Sequence, residues 1–159
     1  MHLGLPTQQE SRIREKLIVR WLDTIKVDAS EVYFLGDIFD FWYEYKRVIP
    51  KGFTRFFGKI AELTDLGIKI HFFTGNHDVW MYGYFSDELG VTIHSKPIER
   101  DFNGKKFLLA HGDGLGPGDS SYKLLKVIFR NKILQWMFSR LHPNFALWIG
   151  NSWLSLIHI

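Results

Sequence analysis

The sequence predicts an α/β fold built around a mixed β-sheet. Three observations carry this. Two continuous apolar segments, Glu31–Leu35 and Ile68–Thr74, each follow a segment with helical periodicity, the order expected of parallel strands covered by helices on both faces. Later, two short segments flank Asn103-Gly104, a two-residue hairpin signal that adds antiparallel pairing. The 159 residues, 46% of them apolar, are the size and composition of one globular domain.

The elements follow in order. Thr7-Gln8-Gln9-Glu10 reads as a capping box, and Ile13, Leu17, Trp21, Leu22 and Ile25 then recur at helical spacing, so a helix is expected over 8–26. The strand Glu31–Leu35 ends at Gly36. A second helix fits Phe53–Leu66 and is stopped by Gly67. The strand Ile68–Thr74 ends at Gly75, and Val91–His94 is a brief third strand. Ile98–Phe102 and Lys105–Ala110 form the hairpin. Gly112–Gly118 reads as a loop, helical pattern returns over 119–141, Pro143 interrupts it, and a last helix is expected over Asn144–Trp153.

Composition narrows the class. Cysteine is absent, which excludes disulfides and thiolate zinc sites and suits a reducing compartment. No apolar run is long enough to span a membrane and nothing resembles a signal peptide, so a cytoplasmic location is expected. Aromatic residues reach 16% and need a large core, a ligand surface or a membrane surface to cover them. The net charge of +3 is uneven: after Asp119 the chain carries Lys123, Lys126, Arg130, Lys132 and Arg140 and no acid.

Three fragments carry chemistry: Gly36-Asp37-Ile38-Phe39-Asp40, Gly75-Asn76-His77-Asp78 and His111-Gly112-Asp113. Each follows an apolar strand, and in open α/β sheets ligand sites lie at the carboxyl ends of strands. Asp37, Asn76 and His111 are thereby expected at one edge of the fold. Oxygen donors with imidazole and no thiolate suit Mn, Fe, Zn or Mg, and a two-metal site suits phosphoester hydrolysis. Any one fragment alone is compatible with ordinary turn chemistry. All three after strands, in this order, point to a site. Asp40, Asp78 and Asp113 are candidates to orient an imidazole or loop amides from behind it. His71 lies inside a strand and is expected to be packed. His94, His142 and His158 have no motif around them.

These residues resemble the calcineurin-like metallophosphoesterases. That family's pattern of DxH, GDxxD, GNHD or GNRD, a His after a strand, and GHxH is met by GDIFD (36–40), GNHD (75–78) and AHGD (110–113), with His2 of MHLG in the histidine place of the first motif. The resemblance implies two mixed sheets packed together with helices outside, an α/β/β/α arrangement. It implies metal ligands His2, Asp37, Asn76 and His111, with Asp37 bridging two ions. HLGLP, GDIFDFW, AHGDGLGPGD and LHPNFALWIG are similar to the branch of the family that cleaves UDP-2,3-diacylglucosamine, a lipid-linked UDP-sugar, in lipid A synthesis. That closer resemblance implies in-line attack of water on the α-phosphorus, UMP and a diacylglucosamine 1-phosphate as products, and manganese as the usual metal. It also implies a cytoplasmic enzyme peripheral on the inner membrane. Asn76, His77 and Asp119 would contact substrate, and His77 would sit beside the scissile phosphate as the catalytic imidazole. Many members of this branch have Arg where His77 stands, which leaves a general phosphodiesterase or phosphomonoesterase as the alternative.

The segment 122–149 interleaves bases with apolar residues. It reads either as a core helix with a solvated basic face or, with 119–153, as a helical lid meeting acyl chains and an anionic membrane surface. Nucleic acid is the runner-up partner and is not expected. The first strand and the Asp of DxH, and the final GHxH, have no counterpart in these residues, so the domain over 1–153 is expected to be incomplete. An inactive fragment stands as a further alternative. Residues 154–159 leave the family's pattern and are expected to be a non-native tail.

Overall fold

A computed structural model describes residues 1–5, 7–112, 129 and 131–157, with the backbone alone at 151 and 153–157. Helix α1 spans Gln8–Ile25, and the Thr7 side chain accepts from the Glu10 amide at its start. Strand β1 is Glu31–Phe34, α2 Thr54–Asp65, β2 Lys69–Phe73, α3 Tyr84–Asp87 and β3 Thr92–His94. Strands β4 (Ile98–Phe102) and β5 (Lys105–Leu109) follow, then α4 (Lys132–Phe138) and α5 (Pro143–Ile157).

The parallel and antiparallel pairings fall in separate sheets. Strands β1, β2 and β3 form a parallel sheet in that order, with Val32 opposite Ile70 and Phe73 opposite His94. Strands β4 and β5 pair antiparallel around Asn103-Gly104, both at positive φ (55° and 79°) as a tight hairpin turn requires. On one face of the parallel sheet Val32, Phe34, Ile70 and Phe72 join the core with Leu22 of α1 and Phe56, Ile60 and Leu63 of α2. On the other face Tyr33 meets the hairpin: its ring packs on Phe102 at 5.9 Å, and the Arg100 Nε donates to its hydroxyl at 3.3 Å. Helices on both faces were expected. Among the described residues one face carries helices and the other the hairpin.

Among the described residues ten aromatic side chains are buried, and they make up much of the core. Phe39 is fully buried and its ring lies within 4.7–6.1 Å of Trp42, Phe53, Phe56, Phe57 and Phe85. Phe39 belongs to the GDIFD segment, so the core itself fixes the loop that carries Asp37 and Asp40.

Three expectations need correction. The core-facing stripe of α1 is Ser11, Glu15 and Leu22, flanked by Ile18 and Ile25. Ile13, Leu17 and Trp21 are half exposed. The polar pair turns inward because it has buried backbone donors to satisfy: Ser11 Oγ accepts from Gly4 N, and Glu15 Oε1 accepts from Arg55 N and Phe56 N at the start of α2. The single helix over 119–141 is broken, because Asn131 is extended (φ −69°, ψ 118°) and its side chain accepts from the amides of Ile133 and Leu134, starting α4 afresh. Residues 113–128, with Asp113, Asp119 and most of the expected loop, lie outside the described residues. Finally, α5 runs to Ile157 rather than stopping at Trp153, since Leu154–Ile157 holds no Gly or Pro to end it.

Candidate metal centre

The three strand-end fragments converge. Gly36 is at φ 91° and Asp37 at φ 49°, consecutive left-handed residues that swing the Asp37 carboxylate inward after β1. The Gly75-Asn76-His77-Asp78 turn after β2 packs directly on it. A Cβ at Gly75 would lie 2.5 Å from the Asp37 amide nitrogen, so only glycine allows this approach. Asp78 is fully buried and its carboxylate ties the two loops together. Oδ1 accepts from Gly75 N at 2.8 Å, and Oδ2 accepts from Ile38 N at 2.7 Å and Phe39 N at 3.4 Å. Burial pushes the Asp78 carboxyl up to about 6, against the pull of those amides and with the Asp37 charge adding to the rise.

His111 arrives from beyond β5. Its Nδ1 lies 2.7 Å from the Leu35 carbonyl oxygen, which can only accept, so Nδ1 carries a proton. In the neutral ring Nε2 is then a lone pair, and it faces Asn76 Oδ1 at 3.1 Å and Asp37 Oδ2 at 3.3 Å. Three acceptors converging in this way are what a cation brings together. Donors at about 2.1 Å from one ion and at right angles stand about 3 Å apart, close to these separations. A metal-ligating His that donates its other ring N–H to a backbone carbonyl is the usual arrangement. The Asp37, Asn76 and His111 set thus fits a divalent ion. For Asp37, burial pushes the carboxyl up, but the His111 imidazole and the His77 amide outweigh it, and the group titrates below its ordinary value.

A second cluster adjoins the first. His2 Nε2 lies 3.8 Å from Asp37 Oδ2, and His2 Nδ1 lies 3.7 Å from Asp40 Oδ1. His77 Nδ1 donates to the Asp40 carbonyl oxygen at 2.7 Å, and the His2 and His77 rings meet edge to face at 4.7 Å. His2, Asp40 and His77 offer ligand atoms within 4.8 Å of one another. Asp37 stands between the two clusters. Burial holds the His2 imidazole below its ordinary value, with Asp37 opposing and His77 reinforcing the effect.

Two supporting residues escape a motif search. Arg14 donates to the carbonyls of His2 at 2.8 Å and Leu5 at 2.9 Å, and so fixes the segment carrying His2. Glu44 accepts from the amides of Tyr82, Gly83 and Tyr84 and holds the chain after the GNHD turn. Neither sits in a fragment with a chemical signature; position in the fold alone reveals them. His71 and His94 also interact, with Nδ1 and Nε2 3.0 Å apart, where His71 stacks on Tyr33 beneath the hairpin.

An apolar cavity of about 400 Å³ opens beside the centre. Asn76 and His77 form its polar end, and Phe41, Trp80, Leu134 and Phe138 line its walls. The Trp80 indole donates to the Phe129 carbonyl at 2.8 Å, and the Tyr43 hydroxyl donates to the Gln135 carbonyl at 3.1 Å, anchoring α4 over the cavity.

The calcineurin-like phosphoesterase family model matches residues 13–151, which include the strands before all three fragments and Asp37, Asn76 and His111. The chain belongs to this family. A metallophosphoesterase domain implies divalent metal ions, in keeping with the donor set above. The chain is 42% identical to a UDP-2,3-diacylglucosamine hydrolase of Porphyromonas gingivalis over 91% of its own length and 56% of that protein's. It is 34% identical to the protein of that name from Aeromonas salmonicida over 78% of its length, and 30% to that from Vibrio vulnificus over 77%. The chain spans about half the length of these relatives.

Proposed function

We propose that this metallophosphoesterase chain serves the cleavage of UDP-2,3-diacylglucosamine to UMP and 2,3-diacylglucosamine 1-phosphate, with two divalent ions, manganese first among them. The observation that carries the reading is the junction of a hard-donor centre with an apolar cavity at Asn76 and His77. A phosphate-charged head needs the first and acyl chains need the second. Relatives named for this hydrolase support the same substrate.

In this reading Asp37, Asn76 and His111 hold one ion, and His2 and Asp37 contribute to the other. Bound ions would lower the pKa of a water and neutralise charge on the phosphoryl oxygens. The protein's own part is positioning. The Leu35 carbonyl fixes the His111 ring with Nε2 inward. The Asp40 carbonyl accepts a hydrogen bond from His77 Nδ1, which leaves Nε2 as the nitrogen that would meet the phosphate. Asp78 holds both loops by their amides and Asp40 supports His2 and His77. Asp113 and Asp119 complete the proposal as support and substrate contact, outside the described residues.

The exposed apolar surface of α4 and α5 supports a membrane-facing role. Ile133, Trp136, Met137, Phe145 and Trp148 are all more than half exposed, and Lys132 and Arg140 lie among them. Arg140 stacks over Trp136 at 5.0 Å. We assign this surface to the anionic face of the inner membrane, on the cytoplasmic side. The test is release of UMP from UDP-2,3-diacylglucosamine with manganese, measured with and without Asp37→Ala. Metal-dependent release abolished by the substitution supports the reading. Hydrolysis of bis-p-nitrophenyl phosphate with the UDP-lipid left intact favours a general phosphodiesterase instead.

A further inference from the structure

A second cavity, of about 740 Å³, reaches the centre at Asp40. Phe41 lines both. Asp40 lines the second and His77 the first, and these two residues are hydrogen-bonded, so the cavities flank one pair of site residues. The second cavity is different in kind. Arg12, Lys51 and Arg55 stand around it, with the buried Glu15 and the half-buried Phe53 in its wall. Among the described residues, no ion pair involves Arg12, Lys51 or Arg55; the lysines that are paired are Lys26, Lys59 and Lys69. Its volume falls in the range of about 300–1,000 Å³ of small-ligand sites.

We propose that this cavity is the seat of the nucleoside monophosphate half of the substrate, so that the two cavities divide a two-part molecule at the pyrophosphate. The chemistry matches each part. Uracil N3–H and the ribose hydroxyls are donors; Glu15 Oε1 is taken by the amides of Arg55 and Phe56, so its second carboxylate oxygen is the acceptor they would meet. A pyrimidine ring needs an aromatic face, and Phe53, held by its left-handed backbone (φ 57°) against Phe39 at 5.0 Å, presents one. The three bases favour an anion over an uncharged glycan or an acyl chain. An acyl chain would leave the three bases desolvated and without a counter-charge, which excludes it from this cavity. The inference deepens the proposed function and rests on it for the identity of the whole substrate. Occupancy by a nucleotide can be tested without it.

The probe is UMP, titrated into the isotope-labelled chain and followed by amide chemical shifts, with inorganic phosphate as the comparison. Shifts at Arg12, Lys51, Thr54 and Arg55 are expected, phosphate alone leaving Phe53 and Thr54 in place. Arg12→Glu with Lys51→Glu, both exposed and outside the core, should weaken UMP at least about tenfold, the scale of one lost charge-assisted hydrogen bond. Arg20→Glu, exposed elsewhere on α1, should leave binding unchanged. UMP shifts confined to 134–150, shifts equally produced by phosphate, or no UMP binding would overturn the assignment. None of these depends on turnover. If UMP binds as expected while UDP-2,3-diacylglucosamine is not cleaved, the nucleotide seat stands and the lipid substrate falls. If the lipid is cleaved with unchanged KM in the double variant, the reverse holds.

Discussion

Asp37 is held in place by its neighbours more than by its own conformational preference. It follows Gly36 into the left-handed region, where Asp is tolerated but not favoured. The packing of Gly75 on its amide leaves no room for a side chain. Gly75→Ala should therefore cost about 1–3 kcal/mol by overpacking and loosen the Asp37 carboxylate. Urea denaturation together with manganese titration would check both effects. Asp78 makes the stronger prediction. Its removal in Asp78→Ala leaves the buried amides of Gly75, Ile38 and Phe39 unmatched, at a cost of at least about 3 kcal/mol. The variant should lose cooperative unfolding or show a much lower urea midpoint. A midpoint near that of the parent would mean that Asp78 does not join the loops.

At the scale of elements, helix α1 shows how polar residues set a helix face. Its periodicity announces a helix, and Thr7 announces the start. Which stripe turns inward was not legible, because Ser11 and Glu15 are drawn in by partners remote in sequence: Gly4, and the first turn of α2. Glu15→Ala would strip α2 of its cap, and a loss of about 1–2 kcal/mol is expected by thermal or urea unfolding. The face between the parallel sheet and the hairpin holds another such group. His71 stacks on Tyr33 at 4.4 Å and lies beside His94, while the Tyr33 hydroxyl donates to Glu31. Burial lowers the titration of both imidazoles below 6.5, and for His71 the neighbouring His94 lowers it further. Below that value the unfolded chain binds more protons than the native one, so stability is full above it and falls as the solution is acidified. The urea midpoint should drop as the pH falls below the ordinary imidazole value of about 6.5, and His94→Asn should flatten the dependence. An equally steep dependence in that variant would assign it to other groups.

For the whole molecule, the two cavities that share Phe41, the centre they meet at His77 and Asp40, and the exposed α4–α5 surface make one arrangement. Tryptophan emission offers a direct check on that surface, since Trp136 and Trp148 are 58% and 63% exposed. Anionic vesicles should shift emission to the blue and retain the chain, and salt should weaken retention. Oligonucleotides should do neither. Retention on oligonucleotides at the same ionic strength, with vesicles ignored, would place nucleic acid on α4 and α5.

The sequence by itself determined the order of the five strands with α1 and α2, the hairpin at Asn103-Gly104, and the three fragments that supply Asp37, Asn76 and His111, but not the short α3. Each of these is local: a turn needs glycine, a strand needs an apolar run, and a fragment carries its chemistry in adjacent residues. The tertiary structure alone decided which atoms meet. Nothing adjacent in sequence says that Leu35 orients His111, that Asp78 joins two loops, or that Arg14 holds the segment of His2, because each contact spans elements brought together by packing of a shared core. The same holds for the hairpin in place of a helix on the second face, the break at Asn131, and the cavity framed by Arg12, Lys51 and Arg55. Burial makes such pairings obligatory, since a polar group enclosed by the core must find a partner wherever the fold supplies one.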